Sequence, residues 1–222
     1  MTDEFIPRLD ILPKPQLRLW NELAEVPTEF VLYGGTAIAL HLGHRQSVDF
    51  DFFGSRKFDP ASLVASVSFL KLATIIRQEA NTLTVLVNRG GPVKLSFFGL
   101  PRLPNLAMPH IAPENGLRVA ALLDLAGTKV SVVQRRAEAK DYQDIDAMIS
   151  DGRIDLTTAL AAARAIYGDR FNPQITLKAL SYFGDGKLRR LPRVMKDRLI
   201  KAVGEVDLDR LPAIARSKRR CR

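Results

Sequence analysis

The chain has 222 residues, enough for one sizeable core with a smaller helical extension, and its 46% hydrophobic and 26% charged residues exclude a disordered chain. The net charge of +9 is uneven: residues 1–110 carry 11 Lys/Arg against 10 Asp/Glu and residues 111–222 carry 22 against 14, so a polyanion is expected on the second half. A single cysteine, Cys221, excludes an intramolecular disulfide and a cysteine-based zinc site and suits a reducing cytoplasm, while no leader-like segment or apolar run of about 18 residues predicts a membrane span.

Residues 5–13 read as irregular, ending at Pro13 and Pro15. The spacing of Leu17, Trp20 and Leu23 predicts an amphipathic helix over Gln16–Leu23, with Trp20 in the core rather than stacked on a base. Phe30-Val31-Leu32-Tyr33 is a short apolar run of strand type, and Gly34-Gly35 lets the backbone turn sharply and approach a ligand closely. A helix starting there, through Ala37, Ile38, Ala39 and Leu40, aims its unpaired amides and positive dipole end at the turn, a position that suits phosphate. In Val48-Asp49-Phe50-Asp51-Phe52 strand alternation puts Val48, Phe50 and Phe52 on one face and both aspartates on the other. Two carboxylates one pleat apart, roughly 7 Å along the strand, suit a hard cation such as Mg2+ that takes its remaining ligands from water and substrate phosphates.

Beyond the aspartates, Asp59 or Ser62 is placed to cap a helix from Pro60 to about Leu70. Strands are predicted over Ala73–Arg77, Thr82–Val87 and Val93–Phe98, separated by turn-forming Glu79-Ala80-Asn81 and Arg89-Gly90-Gly91-Pro92. The proline-rich segment Pro101–Pro113 reads as a crossing loop. From Gly116 the recurrence of Val119, Leu122, Leu123, Ala126, Val130 and Val133 predicts helix, with Gly127 as a bend. If that helix continued, Lys129 and Arg136 would share a face about 10 Å apart. They would suit a triphosphate, Lys129 as a point charge and Arg136 as a bidentate fork. Asp141 and Asp144, one turn apart, would point together, unless Lys140 simply pairs with Asp144 on a solvated face. Further helices are predicted over Leu156–Tyr167, Gln174–Tyr182 and Arg193–Val203, with Gly184-Asp185-Gly186 as a loop. Basic residues crowd Lys187–Lys201 and Arg216–Arg222, and His41, His44 and His110 match no zinc spacing.

A hydrophobic residue, Gly34-Gly35, thirteen residues, then Asp49-hydrophobic-Asp51-hydrophobic resembles the signature of the nucleotidyltransferase superfamily of the DNA polymerase beta type. Gly34-Gly35-Thr36-Ala37 followed by His44-Arg45-Gln46-Ser47-Val48-Asp49-Phe50-Asp51-Phe52-Phe53 resembles its AbiEii/AbiGii toxin branch, which includes the MenT toxins; Lys129, Arg136, Lys140-Asp141 and Asp144 fit the later motif of that branch. The resemblance implies an α+β fold, a mixed sheet flanked by helices with a C-terminal helical region: a nucleotidyltransferase-like core over 1–112, and a helical region over 113–222 that completes the site and carries a basic surface. It implies Mg2+-dependent transfer of a nucleoside monophosphate from an NTP to an acceptor hydroxyl, plausibly an RNA or tRNA 3' end, with Mn2+ as an alternative metal and a cognate antitoxin as partner. Asp49, Asp51, Lys129 and Asp141 would be catalytic, the first two as metal ligands. Gly34, Gly35, Thr36, Arg45, Ser47, Lys129 and Arg136 would hold the nucleotide phosphates. One departure stands out, because the superfamily usually has a third acid on a later strand, where this chain has Ser96 within Val93-Lys94-Leu95-Ser96-Phe97-Phe98. A hydroxyl cannot supply that charge. The alternative reading is therefore a catalytically inactive nucleotidyltransferase fold that binds RNA or protein.

Overall fold

A computed structural model describes residues 5–217; Cys221 and most of the basic run Arg216–Arg222 lie outside the described residues, as do residues 1–4. The chain divides into two compact units, one of residues 1–103 and 109–120, the other of residues 104–108 and 121–222. Among the described residues it is an α+β protein with one mixed seven-stranded sheet and eight α-helices.

The first unit holds the whole sheet. Strand β1 (Phe30–Tyr33) pairs antiparallel with β2 (Asp49–Gly54), and β2 pairs parallel with β5 (Pro92–Gly99). Strands β3 (Thr74–Glu79) and β4 (Thr82–Asn88) extend the sheet as a meander, giving the order β3-β4-β5-β2-β1-β7-β6. The last two are the two-residue strands β6 (His110–Ile111) and β7 (Arg118–Val119). They replace part of the expected crossing loop and the start of the expected helix: β7 pairs parallel with β1, and β6 pairs antiparallel with β7. Such short pieces acquire their strand character from the neighbour they pair with, not from a pattern of their own.

Helix α1 (Lys14–Leu19) is shorter than its apolar spacing implies and passes into a 3-10 segment over Trp20–Glu25. Trp20 and Leu23 are buried, as expected, whereas Leu17 is exposed. Helix α2 (Gly34–Leu42) follows β1 directly and ends at Gly43, whose φ of 64° is the left-handed conformation of a helix C-terminus. Helix α3 (Pro60–Ser66) starts at Asp59, whose carboxylate accepts from the Ser62 amide at 2.9 Å. Strand β3 is the sheet edge and is exposed throughout; an irregularity between Ile75 and Arg77 and the Arg77–Glu79 ion pair give that edge the bulge and charge that discourage further strand pairing.

The second unit is helical: α4 (Leu122–Val132), α5 (Ala139–Asp151), α6 (Leu156–Tyr167), α7 (Pro173–Leu180) and α8 (Arg193–Gly204). Gly127 does not bend α4; it lets α4 approach α6, since a Cβ there would lie 2.9 Å from the Ala162 carbonyl carbon and the Ala163 nitrogen. The buried Asp124 accepts from the amides of Leu106 and Ala107 at 2.8 and 3.0 Å, fastening residues 104–108 to α4. On α5, Asp146 receives a two-pronged hydrogen bond from Arg198 of α8 at 2.8 and 2.5 Å. Among the described residues no helix is long and apolar enough to cross a membrane.

Candidate active site

In β2 the pleat sends Phe50 and Phe52 fully into the core, and Asp49 and Asp51 to the opposite, half-buried face. Val48, expected to share the core face, lies before the strand and is 61% exposed. The antiparallel register sets Asp51 opposite Tyr33, the last residue before the glycine pair. That register brings carboxylate and glycine corner together. The φ of +75° at Gly34 is strained for other residues, and a Cβ there would stand 2.7 Å from Asp51 Oδ2, so a side chain would also displace that carboxylate. A Cβ on Gly35 would stand 2.5 Å from Arg45 Nη2 and 3.2 Å from Ser47 Oγ. Gly34, Gly35, Asp51, Arg45 and Ser47 thus form one cluster at the start of α2, where Tyr33 supplies no side-chain cap to the first amides.

Thr36 plays a different part from the one its position in the motif suggests. Its side chain is fully buried and its hydroxyl donates to the Asp49 carbonyl oxygen, tying the first turn of α2 to the start of β2. Its amide, not its hydroxyl, is what it has to offer a phosphate. Arg45 is oriented by a 2.8 Å bond from Nη1 to the Gln46 carbonyl oxygen.

Strand β5 adds two side chains to the carboxylate face. Parallel pairing sets Lys94 opposite Asp49 and Ser96 opposite Asp51, while Val93, Leu95 and Phe97 turn into the core. Ser96 thus lies level with Asp51 on the neighbouring strand. Lys94 was legible from the same alternation, since it lies two residues before Ser96, yet only the β2–β5 register reveals its partner: Lys94 Nζ donates to Asp49 Oδ2 at 3.1 Å. No group of three or more His, Cys, Asp or Glu side chains gathers around one point among the described residues. Two carboxylates and a hydroxyl are nevertheless a hard-oxygen set of the kind Mg2+ accepts when a substrate supplies the rest of its shell.

The second unit carries the other predicted constellation, in a different form from the one expected. Helix α4 stops at Val132, so Lys129 and Arg136 do not share a helical face. Both instead grip Asp141. Lys129 Nζ lies 2.9 Å from Asp141 Oδ1 and 2.9 Å from Asp144 Oδ2, while Arg136 donates through Nε and Nη2 to Asp141 at 2.8 and 3.0 Å. The two carboxylates are completely buried and Lys129 nearly so, leaving Arg136 half exposed. Burial pushes the Asp141 carboxyl up, but the Arg136 hydrogen bonds and the Lys129 charge outweigh it and hold the group below its ordinary value. Lys140 pairs with Glu138 at 3.1 Å rather than with Asp144. His41 is a helix residue whose Nε2 lies 2.9 Å from the Ala120 carbonyl oxygen and whose ring packs with those of Phe5 and His110.

Residues 18–217 match the family model of the nucleotidyl transferase AbiEii toxin of type IV toxin–antitoxin systems. The chain belongs to the AbiEii family. Among relatives, this AbiEii protein is 30% identical over 161 residues to an uncharacterized protein of Aquifex aeolicus, covering 72% of this chain and 76% of that one. Its fold is similar to that of MenT4, a nucleotidyltransferase toxin of Mycobacterium tuberculosis, with a TM-score of 0.55 at 18% identity over 87% of this chain and 83% of the other. The AbiEii protein is therefore a member of a nucleotidyltransferase toxin family with the corresponding fold.

Proposed function

We propose that this AbiEii protein transfers a nucleoside monophosphate from an NTP to an acceptor hydroxyl. The acceptor hydroxyl gives up its proton to solvent as its oxygen bonds to the α-phosphorus, the bond from that phosphorus to the α,β-bridging oxygen breaks, and pyrophosphate leaves. The observation that carries the reading is the approach of Gly34, at a φ of +75°, to Asp51: a Cβ there would lie 2.7 Å from Asp51 Oδ2, so the glycine corner and the carboxylate pair adjoin. Asp49 and Asp51 would hold Mg2+, or Mn2+ in its place. Bound there, the ion would offset phosphate charge and polarise the phosphoryl oxygens. The amides of Gly34, Gly35 and Thr36 at the start of α2, with Arg45 and Ser47, would cradle the phosphates.

In the second unit, family resemblance assigns Lys129, Arg136 and Asp141 to the activity. Their mutual pairing supports a role as a fixed arrangement of charge, in which Lys129 and Asp141 hold Arg136, the member with the most exposed surface and the one suited to phosphate. The excess of basic residues after residue 110 favours RNA, such as a tRNA 3' end, as acceptor, and the family's toxin–antitoxin description favours a cognate antitoxin in a cytoplasmic setting. Incubation with each labelled NTP, Mg2+ and total tRNA should give transfer that Asp49→Ala abolishes. No transfer with any NTP, together with equal growth arrest by wild type and Asp49→Ala, overturns the proposal.

Ser96 opposite Asp51 favours a second reading, a catalytically silent RNA- or protein-binding module. It requires salt-sensitive RNA binding that is indifferent to Asp49→Ala and Asp51→Ala.

A further inference from the structure

Lys94 and Ser96 change the charge of the carboxylate face. Counting the side chains of β2 and β5 alone, two aspartates against one ammonium give a formal −1, where a third acid in place of Ser96 would lower it by one more unit. The Lys94–Asp49 pair does little for the fold, since both side chains are partly exposed, at 40% and 31%, and Val93, Leu95 and Phe97 already anchor β5 in the core. It does occupy Asp49 Oδ2, an oxygen that a bound cation would need. A bare dication arriving there would displace the ammonium and leave it close by without a carboxylate, an unfavourable exchange. A dication carrying a triphosphate would bring the ammonium new anionic oxygens, and a lysine stem is flexible enough to follow them.

We infer that Lys94 is a positioning residue that holds Asp49 in the nucleotide-free protein and releases it to a metal–nucleotide complex, moving its own charge onto the triphosphate. The inference rests on the proposed nucleotidyltransfer reading of this site. It makes the face discriminate against free divalent cations and in favour of cations that arrive with nucleotide. It also gives Ser96 a place in the same design: a third acid there would add a charge that favours bare metal, and a hydroxyl does not.

Calorimetric titration of the full chain with Mn2+ alone, and with the Mn2+ complex of a non-hydrolysable NTP analogue, tests this in wild type, Lys94→Met, Lys94→Arg and Asp49→Asn. Lys94→Met should bind Mn2+ alone about three- to tenfold more tightly and the Mn2+–nucleotide complex about tenfold more weakly. These opposite signs are not expected of a merely structural lysine. Lys94→Arg should retain the weak binding of Mn2+ alone, and Asp49→Asn should weaken both. Lys94→Met binding Mn2+ no tighter than wild type, or binding the complex undiminished, overturns the inference while leaving the proposed function standing, provided Asp49→Asn still weakens both. Binding of neither probe by any of the four proteins overturns the proposed function and the inference with it.

Discussion

The two units each bring aspartates and a lysine together, but to opposite ends. In the helical unit, Lys129 is paired with both Asp141 and Asp144, both carboxylates fully buried, and Arg136 also bonds Asp141. In the sheet unit, Asp49 pairs with Lys94 at 3.1 Å, and both side chains are partly exposed. A buried charge has to be satisfied by the protein itself, so the first arrangement is constrained to remain as it is. A half-exposed carboxylate already retains much of its hydration and exchanges one partner for another at little cost. Identical residue types are therefore locked in one place and exchangeable in the other, and burial separates the two.

The largest expected effect breaks the scaffold. Lys129→Met should destabilise the protein by about 3–5 kcal/mol in urea unfolding, because it leaves two buried carboxylates short of their shared cation. Lys94→Met should fall within about 1 kcal/mol of wild type in the same experiment. Equal losses at both positions would erase the distinction between the units.

Gly34→Ala comes next. A strained φ of +75° and a 2.7 Å approach to Asp51 Oδ2 together should cost roughly 1–3 kcal/mol in unfolding and displace the carboxylate, with nucleotide binding falling further than stability does.

A smaller, pH-dependent effect sharpens the account of the buried cluster. The folded protein holds the Asp141 carboxyl below its ordinary value, so Asp141 stabilises the fold above the unfolded-state pKa, and that contribution is lost as pH falls through the folded one. Asp124 is pushed the other way by burial, only partly offset by the Leu106 and Ala107 amides, so it opposes folding once ionised. Urea unfolding followed from pH 7 downward should therefore show a shallower acid loss in Asp141→Asn than in wild type, and a steeper one in Asp124→Asn.

The smallest effect is Lys140→Ala. Its pairing with Glu138 is at the surface, and its removal should change unfolding by less than about 0.5 kcal/mol.

Much of the first unit was legible because its signals are local. Strand β1, the glycine pair, helix α2 and the alternation of β2 occupy consecutive residues, and the spacing of apolar side chains betrays each of them. Strands β6 and β7 were hidden because two residues carry no period. The end of α4 was hidden because Val130 and Val133 continue the apolar repeat and no proline or glycine marks Arg135-Arg136-Ala137-Glu138 as a turn. The spacing of Asp141 and Asp144 left open whether they share a site or a solvated face; their common partner, Lys129, lies across that turn rather than along one helix.

Sequence by itself determined that a glycine corner precedes two carboxylates on one face of a strand, because backbone freedom and pleat alternation belong to neighbouring residues. Only the tertiary structure decided which groups those carboxylates meet. Asp49 lies beside Lys94, and Asp51 beside both Gly34 and Ser96, through pairings of β2 with β5 and β1 that depend on how distant segments share one core. Partner and burial are non-local quantities, and they are what distinguish a charge locked into the fold from one open to exchange.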